Sequence, residues 1–256
     1  VLTPWETIYR ASERNDNFRA DSSVNTGSAS LSDYKGSGYD RGHLIPYADL
    51  GWSEEAASES FYLSNMSPQA GDLNRYAWAD LEAVVRTFSL SGPICVVTGP
   101  VLSDGPYETI GENKVSVPKY FYKVIYSPVL EAAIAFVLPN EKCDEPLENY
   151  AESVDYVENL TGIDFFSGLE EELENDLEGN IDVSVWDFTK YNSSVAKKYG
   201  YDTETGYKEG ETEQTVAVNT QTEEIEDYYL LLQHYLYTYL WPAKQQIIVV
   251  VHSFGI

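Results

Sequence analysis

Of the three histidines among the 256 residues, His43 alone keeps company that could do chemistry. It closes the tetrad Asp40-Arg41-Gly42-His43 after the loop SDYKGSGY. A neutral imidazole near pH 7 can take a proton from water. Arg41 offers a planar donor fork suited to phosphate, and Gly42 allows close approach of backbone or ligand. Thirty-one residues beyond His43 stands Asn74, followed at four-residue steps by Trp78, Glu82 and Arg86. On a helix these positions form a ladder drifting slowly around one face. An amide oxygen, a carboxylate and a guanidinium would then line one edge of a cleft. Together these groups suit cleavage of a phosphodiester. A hard cation such as Mg²⁺ takes oxygen ligands and keeps several waters, and it can stabilise a leaving oxygen as a Lewis acid. Two arginines can offset charge growing on the phosphate. Taken singly, the same residues suit plainer roles. Glu82 and Arg86 make an ordinary i,i+4 surface pair worth about 0.2–0.5 kcal/mol, and Asn74 makes an N-cap. His234 and His252 sit in apolar stretches, where packing explains a histidine better than catalysis does.

The elements that must hold these residues can be read in outline. Residues 22–38 are rich in Ser, Gly and Asn and predict a loop. Apolar positions Tyr76, Ala77, Leu81, Val84, Val85 and Phe88 predict a helix over 74–88. Residues 94–98 are short and β-branched, are closed by Gly99-Pro100, and predict a buried strand, with two more at 119–127 and 130–138. Residues 154–160 predict a helix with Ser153 as N-cap. Residues 190–222 show no clear periodicity and predict loops or irregular hairpins. An aromatic-rich helix is expected over 223–240, stopped by Trp241-Pro242, and a strand over 247–251. The resulting division is a domain over 1–189 and an acidic, aromatic-rich C-terminal extension over 190–256.

Lys and Arg total 16 against 42 Asp and Glu, a formal charge of −26, which on its own argues against a polyanion as partner. The surplus is uneven. Residues 1–50 hold 5 basic and 7 acidic side chains, whereas residues 151–256 hold 5 basic and 21 acidic. The run Glu170–Asp176 reads as a solvated helix face or loop. No run of 18 apolar residues exists, so no membrane-spanning helix is expected. Cys95 lies in an apolar strand and reads as a buried thiol, with a Cys95–Cys143 bridge as the alternative suited to an exported protein. Asn65, Asn159 and Asn192 head N-x-S/T triplets, and a glycan on Asn65 would crowd the cleft.

The segment DYKGSGYDRGHLIPYADL (residues 33–50), followed by SFYLSNMSPQAGDLNRYAWADLE (residues 60–82), resembles the DNA/RNA non-specific endonucleases. The similarity runs from about Trp5 through VVTGPVL to LTGIDFF at 160–166. The resemblance implies an α+β fold: a central, mainly antiparallel sheet flanked by helices, with a ββα-metal (His-Me finger) active-site motif. It implies that His43 is the general base and Asn74 the protein ligand of one Mg²⁺, for which Mn²⁺ or Ca²⁺ could substitute. Glu82 would hold that ion through water, and Arg41 and Arg86 would contact the phosphate. Asn65 would help order the site, and Asp40 would support the loop. The implied activity is cleavage of DNA and RNA through phosphate contacts, leaving 5′-phosphates without sequence readout, by a secreted protein. The alternative is a self-assembling extracellular protein on a nuclease scaffold. For it, the tail QQIIVVVHSFGI would provide an exposed edge able to pair chains into a homo-oligomer, or a strand completing the sheet.

Overall fold

The computed structural model describes residues 1–208 other than Ser12 and Asp104; the helix expected at 223–240, the strand at 247–251, His234 and His252 lie outside the described residues. In chain order the elements are α1 (Pro4–Ile8), α2 (Leu31–Tyr34), β1 (Asp40–His43), α3 (Tyr47–Leu50), α4 (Glu54–Glu59), β2 (Met66–Gln69) and α5 (Ala79–Phe88). They continue with β3 (Cys95–Pro100), β4 (Glu108–Ile110), β5 (Val115–Val117), β6 (Tyr120–Ser127) and β7 (Ala132–Pro139). The last are β8 (Ala151–Glu152), α6 (Val154–Thr161), α7 (Glu171–Gly179) and α8 (Ser193–Lys198).

The main sheet is antiparallel in the order β3-β6-β7-β8, and small two-stranded ladders join β1 to β2 and β4 to β5. Strand alternation sorts the β6 side chains onto two faces. Phe121 and Ile125 meet Trp78, Leu81, Val84 and Val85 of the helical segment on one side. Tyr122, Val124 and Tyr126 meet Val154 and Val157 of α6 and Leu177 of α7 on the other. The fold is therefore α+β, an antiparallel sheet between helical layers. Full burial of side chains such as Phe121, Phe136 and Leu81 stabilises it by roughly 1.5–3 kcal/mol each. Among the described residues no helix is long and apolar enough to cross a membrane.

The strands at 94–98, 119–127 and 130–138 and the helix at 154–160 stand within two residues of their expected bounds. Ser153 caps α6, its hydroxyl accepting from the Tyr156 N–H at 3.2 Å. The acidic run becomes the start of α7. Three expectations need correction. The helix over 74–88 is not uniform: Leu73–Trp78 is π-helical and α5 begins at Ala79. Leu73 and Trp78 are both buried, and an i→i+5 turn brings residues five apart closer to one face than a regular turn does. The loop expected over 22–38 contains the single turn α2. Residues 190–208 are not all irregular: Asn192 caps α8 by accepting from Ser194 and Val195, and Val195 and Ala196 pack with Ile8 and Leu90. With only two core positions, α8 has too short an apolar pattern to register as periodic. Both cysteines are free thiols, so the alternative Cys95–Cys143 bridge is not formed.

Candidate active site

The tetrad at residues 40–43 forms β1, paired antiparallel with β2 in the register Asp40↔Gln69 and His43↔Met66. Gly42 is required by contact rather than by backbone angle. A Cβ there would run into the Gln69 side chain, which is wholly buried. The chain leaving His43 is held at two points. Asn65, completely buried, accepts from the Ile45 N–H at 3.0 Å and donates to the Ile45 and Ser60 carbonyls at 2.8 and 2.9 Å. Trp78 donates through Nε1 to the His43 carbonyl at 3.2 Å, tying the helical segment to β1.

These elements frame a cavity of about 730 Å³ whose lining includes Asp40, Arg41, His43, Asn74 and Glu82. The cavity also takes Arg14, Lys35 and Asp16, so three cationic and three anionic side chains face it despite the acidity of the whole chain. His43 sits edge-on to Phe18 and Phe61, with ring centroids at 5.8 and 5.2 Å. Its Nε2 is enclosed and has no hydrogen-bond partner. Burial, with Arg14 and Arg41 adding to it, pushes the imidazole pKa down to about 4, so the ring is neutral at pH 7. Arg41 lies over the Phe18 ring at 4.1 Å.

Asn74 donates through Nδ2 to Asp40 at 3.1 Å, and Arg75 grips the same carboxylate with two bonds of 2.6 and 2.8 Å. Burial alone would raise the Asp40 pKa, but the Arg75 and Asn74 donors outweigh it and hold the group below its usual value. With its amide nitrogen committed to Asp40, Asn74 keeps its carbonyl oxygen for another partner. Glu82 supplies a second oxygen donor on the cavity wall. Burial pushes its pKa up to about 7, against the opposing charges of Lys123 and Arg86. Two hard oxygen donors on one wall fit a small divalent cation that keeps much of its water.

Arg86 is placed apart from this set. It pairs with Asp49 at 3.1 Å, both side chains largely buried, and it does not line the cavity. Glu82 and Arg86 do not form the i,i+4 pair, because Arg86 turns to α3. Asn65 is likewise absent from the cavity lining, and its burial leaves no room for a glycan.

Sequence reasoning passed over Lys123. This lysine, 2% exposed in the middle of β6, donates to the Thr98 hydroxyl at 2.9 Å and the Leu44 carbonyl at 3.4 Å, and lies 4.7 Å from the Trp78 ring centre. Burial lowers its pKa, while Glu82 and Asp49 act against that shift. The available signal was a charged residue at an inward position of an apolar strand. Tyr34, on the cavity wall with a buried, unpartnered hydroxyl, was missed for want of any pattern around it.

The antiparallel β1–β2 pair and the helical segment carrying Asn74 and Glu82 make up a ββα unit. The model of the DNA/RNA non-specific endonuclease family matches residues 2–172, and the chain belongs to that family, whose members are metal-dependent and act on nucleic acids. Among its relatives is the mitochondrial endonuclease G of Homo sapiens, 39% identical over 59% of this chain and 57% of the relative. Mitochondrial nuclease 1 of Schizosaccharomyces pombe is 41% identical over 55% and 50% respectively. The chain thus spans about half the length of these relatives. A crystal structure of the EndoG/EndoGI complex, on the mechanism of EndoG inhibition, superposes with a TM-score of 0.61 at 33% identity, covering 67% of this chain and 78% of that one. The expectation of a secreted protein is corrected here, since the relatives' names point to mitochondria instead.

Proposed function

We propose that this chain is a Mg²⁺-dependent, sugar-non-specific endonuclease that hydrolyses phosphodiester bonds of DNA and RNA. The observation that carries the reading is the neutral His43 imidazole on a cavity whose lining also includes Asn74 and Glu82. In the reaction His43 takes a proton from water as the water oxygen bonds to phosphorus. The bond from phosphorus to the 3′-oxygen breaks, leaving a 5′-phosphate, and the 3′-oxygen is protonated from solvent. A Mg²⁺ ion bound at the Asn74 carbonyl oxygen, with Glu82 reaching it through water, would supply Lewis-acid stabilisation to the phosphate and the leaving oxygen. Arg41, with Lys35 and Arg14 nearby, draws the phosphate in. Asp40 aligns Asn74, Asn65 fixes the turn after His43, and Arg86 secures α3 to α5 through Asp49. Contacts of this kind position a phosphate without reading a base.

The test is incubation of the full chain with supercoiled plasmid and with RNA, in Mg²⁺ and in EDTA. Loss of both substrates in Mg²⁺ alone, giving 5′ ends that a ligase accepts, is expected. Intact substrates across metal and salt conditions would overturn the proposal.

A further inference from the structure

On the face of the sheet opposite His43, α7 follows α6 and brings carboxylates together. One oxygen each from Asp155, Glu158 and Glu178 lies within 4.8 Å of the others, and the same holds for Asp164, Glu174 and Glu178. Glu178 is the vertex shared by both sets. It is 5% exposed, and its Oε1 has no hydrogen-bond partner. The Glu174 Oε1 is also enclosed without a partner, while Glu158 accepts from the Phe165 N–H at 2.6 Å. Among the described residues no lysine or arginine pairs with Asp155, Glu158, Glu174 or Glu178.

The arrangement follows from the local sequence. Leu177 must enter the core beside Val157 and Phe165, and this carries its neighbour Glu178 inward with it. The last turn of α7 has no basic residue, and Glu178 stands at the helix end where the dipole is negative. Burial, then the charges of Glu158, Glu174, Asp164 and Asp155, push the Glu178 pKa up to about 8. An ionised carboxylate buried without a partner is strongly unfavourable. A cation relieves both the desolvation and the mutual repulsion.

We propose that Asp155, Glu158, Glu174 and Glu178, with Asp164 beside them, form a Ca²⁺ site that fastens α6 to α7. An all-oxygen set with several side-chain carboxylates suits the six to eight flexible ligands of Ca²⁺ better than the strict, well-hydrated octahedron of Mg²⁺. The site stands across the sheet from the cavity and does not depend on the reading of His43.

The experiment is calorimetric titration of the chelator-stripped full chain with CaCl₂, beside melting curves, for the wild type, Glu178→Gln, Asp155→Asn and Asn74→Ala. The expected result is a saturable Ca²⁺ event weakened about tenfold or more in Glu178→Gln and Asp155→Asn and retained in Asn74→Ala, which removes any binding at the cavity. At 100 times the dissociation constant, Ca²⁺ should raise the wild-type midpoint by about 5–10 °C. Asp155 is exposed, so its variant reads the site without disturbing the core. No saturable event in the wild type, or an undiminished one in both carboxylate variants, would overturn the proposal. An equal response to MgCl₂ in Asn74→Ala would overturn the assignment to Ca²⁺.

Discussion

The two faces of the main sheet handle charge in opposite ways. On the His43 side every buried or half-buried ion that lines or supports the cavity has an opposite charge or a dipole beside it. Asp40 has Arg75, Asp49 has Arg86, and Lys123 has the Leu44 carbonyl, the Thr98 hydroxyl and the field of Glu82. On the α6–α7 side carboxylates meet carboxylates. The net charge of −26 is therefore unevenly placed. The sheet separates an acidic layer from a balanced cavity, and a polyanion has to approach only the second.

The sharpest way to break the comparison is to exchange variants between the faces. Glu178→Gln should leave the rate of nucleic-acid cleavage unchanged, while removing the general base should cost about 10²–10⁴-fold. A Glu178→Gln enzyme as slow as a base-deficient one would mean that the faces are not independent.

Lys123→Met comes next. It leaves the Thr98 hydroxyl and Leu44 carbonyl without their donor and Glu82 without its main opposing charge. Urea denaturation should show a loss of about 1–3 kcal/mol. An unchanged or more stable variant would show that the lysine merely occupies space.

Gly42→Ala should cost about 1–3 kcal/mol by the same assay, because the new methyl group displaces Gln69. Pairing it with Gln69→Ala should recover part of that loss. Strict additivity of the two changes would contradict the contact.

At pH 7 the last effect vanishes, because it appears only on acidification. The unfolded chain protonates His43 below about 6.5, whereas the folded chain does so only below about 4. The stabilisation from keeping the ring neutral is therefore full above pH 6.5 and is lost as pH falls towards 4. In the same way the ring stays neutral through the mildly acid range. The His43 ring signal in proton NMR, assigned by its loss in His43→Ala, should titrate well below 6.5, and an inflection at 6.5 would mean that the ring is solvated.

How much of this could be read from the sequence depends on range. Periodicity registers what neighbours along the chain do, so β3, β6, β7 and α6 were legible, and the tetrad and its glycine stood out by type and spacing. The switch from π-helix to α-helix at Ala79 depends on Leu73 and Trp78 reaching the same core, which spacing alone does not disclose. The pairing of Arg86 with Asp49, 37 residues earlier, has no signal in local spacing. Lys123 acts through Leu44, 79 positions earlier. Such pairings exist only once distant parts of the chain have packed together.

The central claim is that His43 is the base of a working nuclease site, and the most direct measurement is cleavage of plasmid and RNA in Mg²⁺ by wild type and His43→Ala. Both proteins should give the same circular dichroism and melting midpoint within about 2 °C, the range expected when no large packing change is made. The variant should lose cleavage of both substrates together. A folded His43→Ala protein that cleaves either substrate at the wild-type rate would contradict the claim.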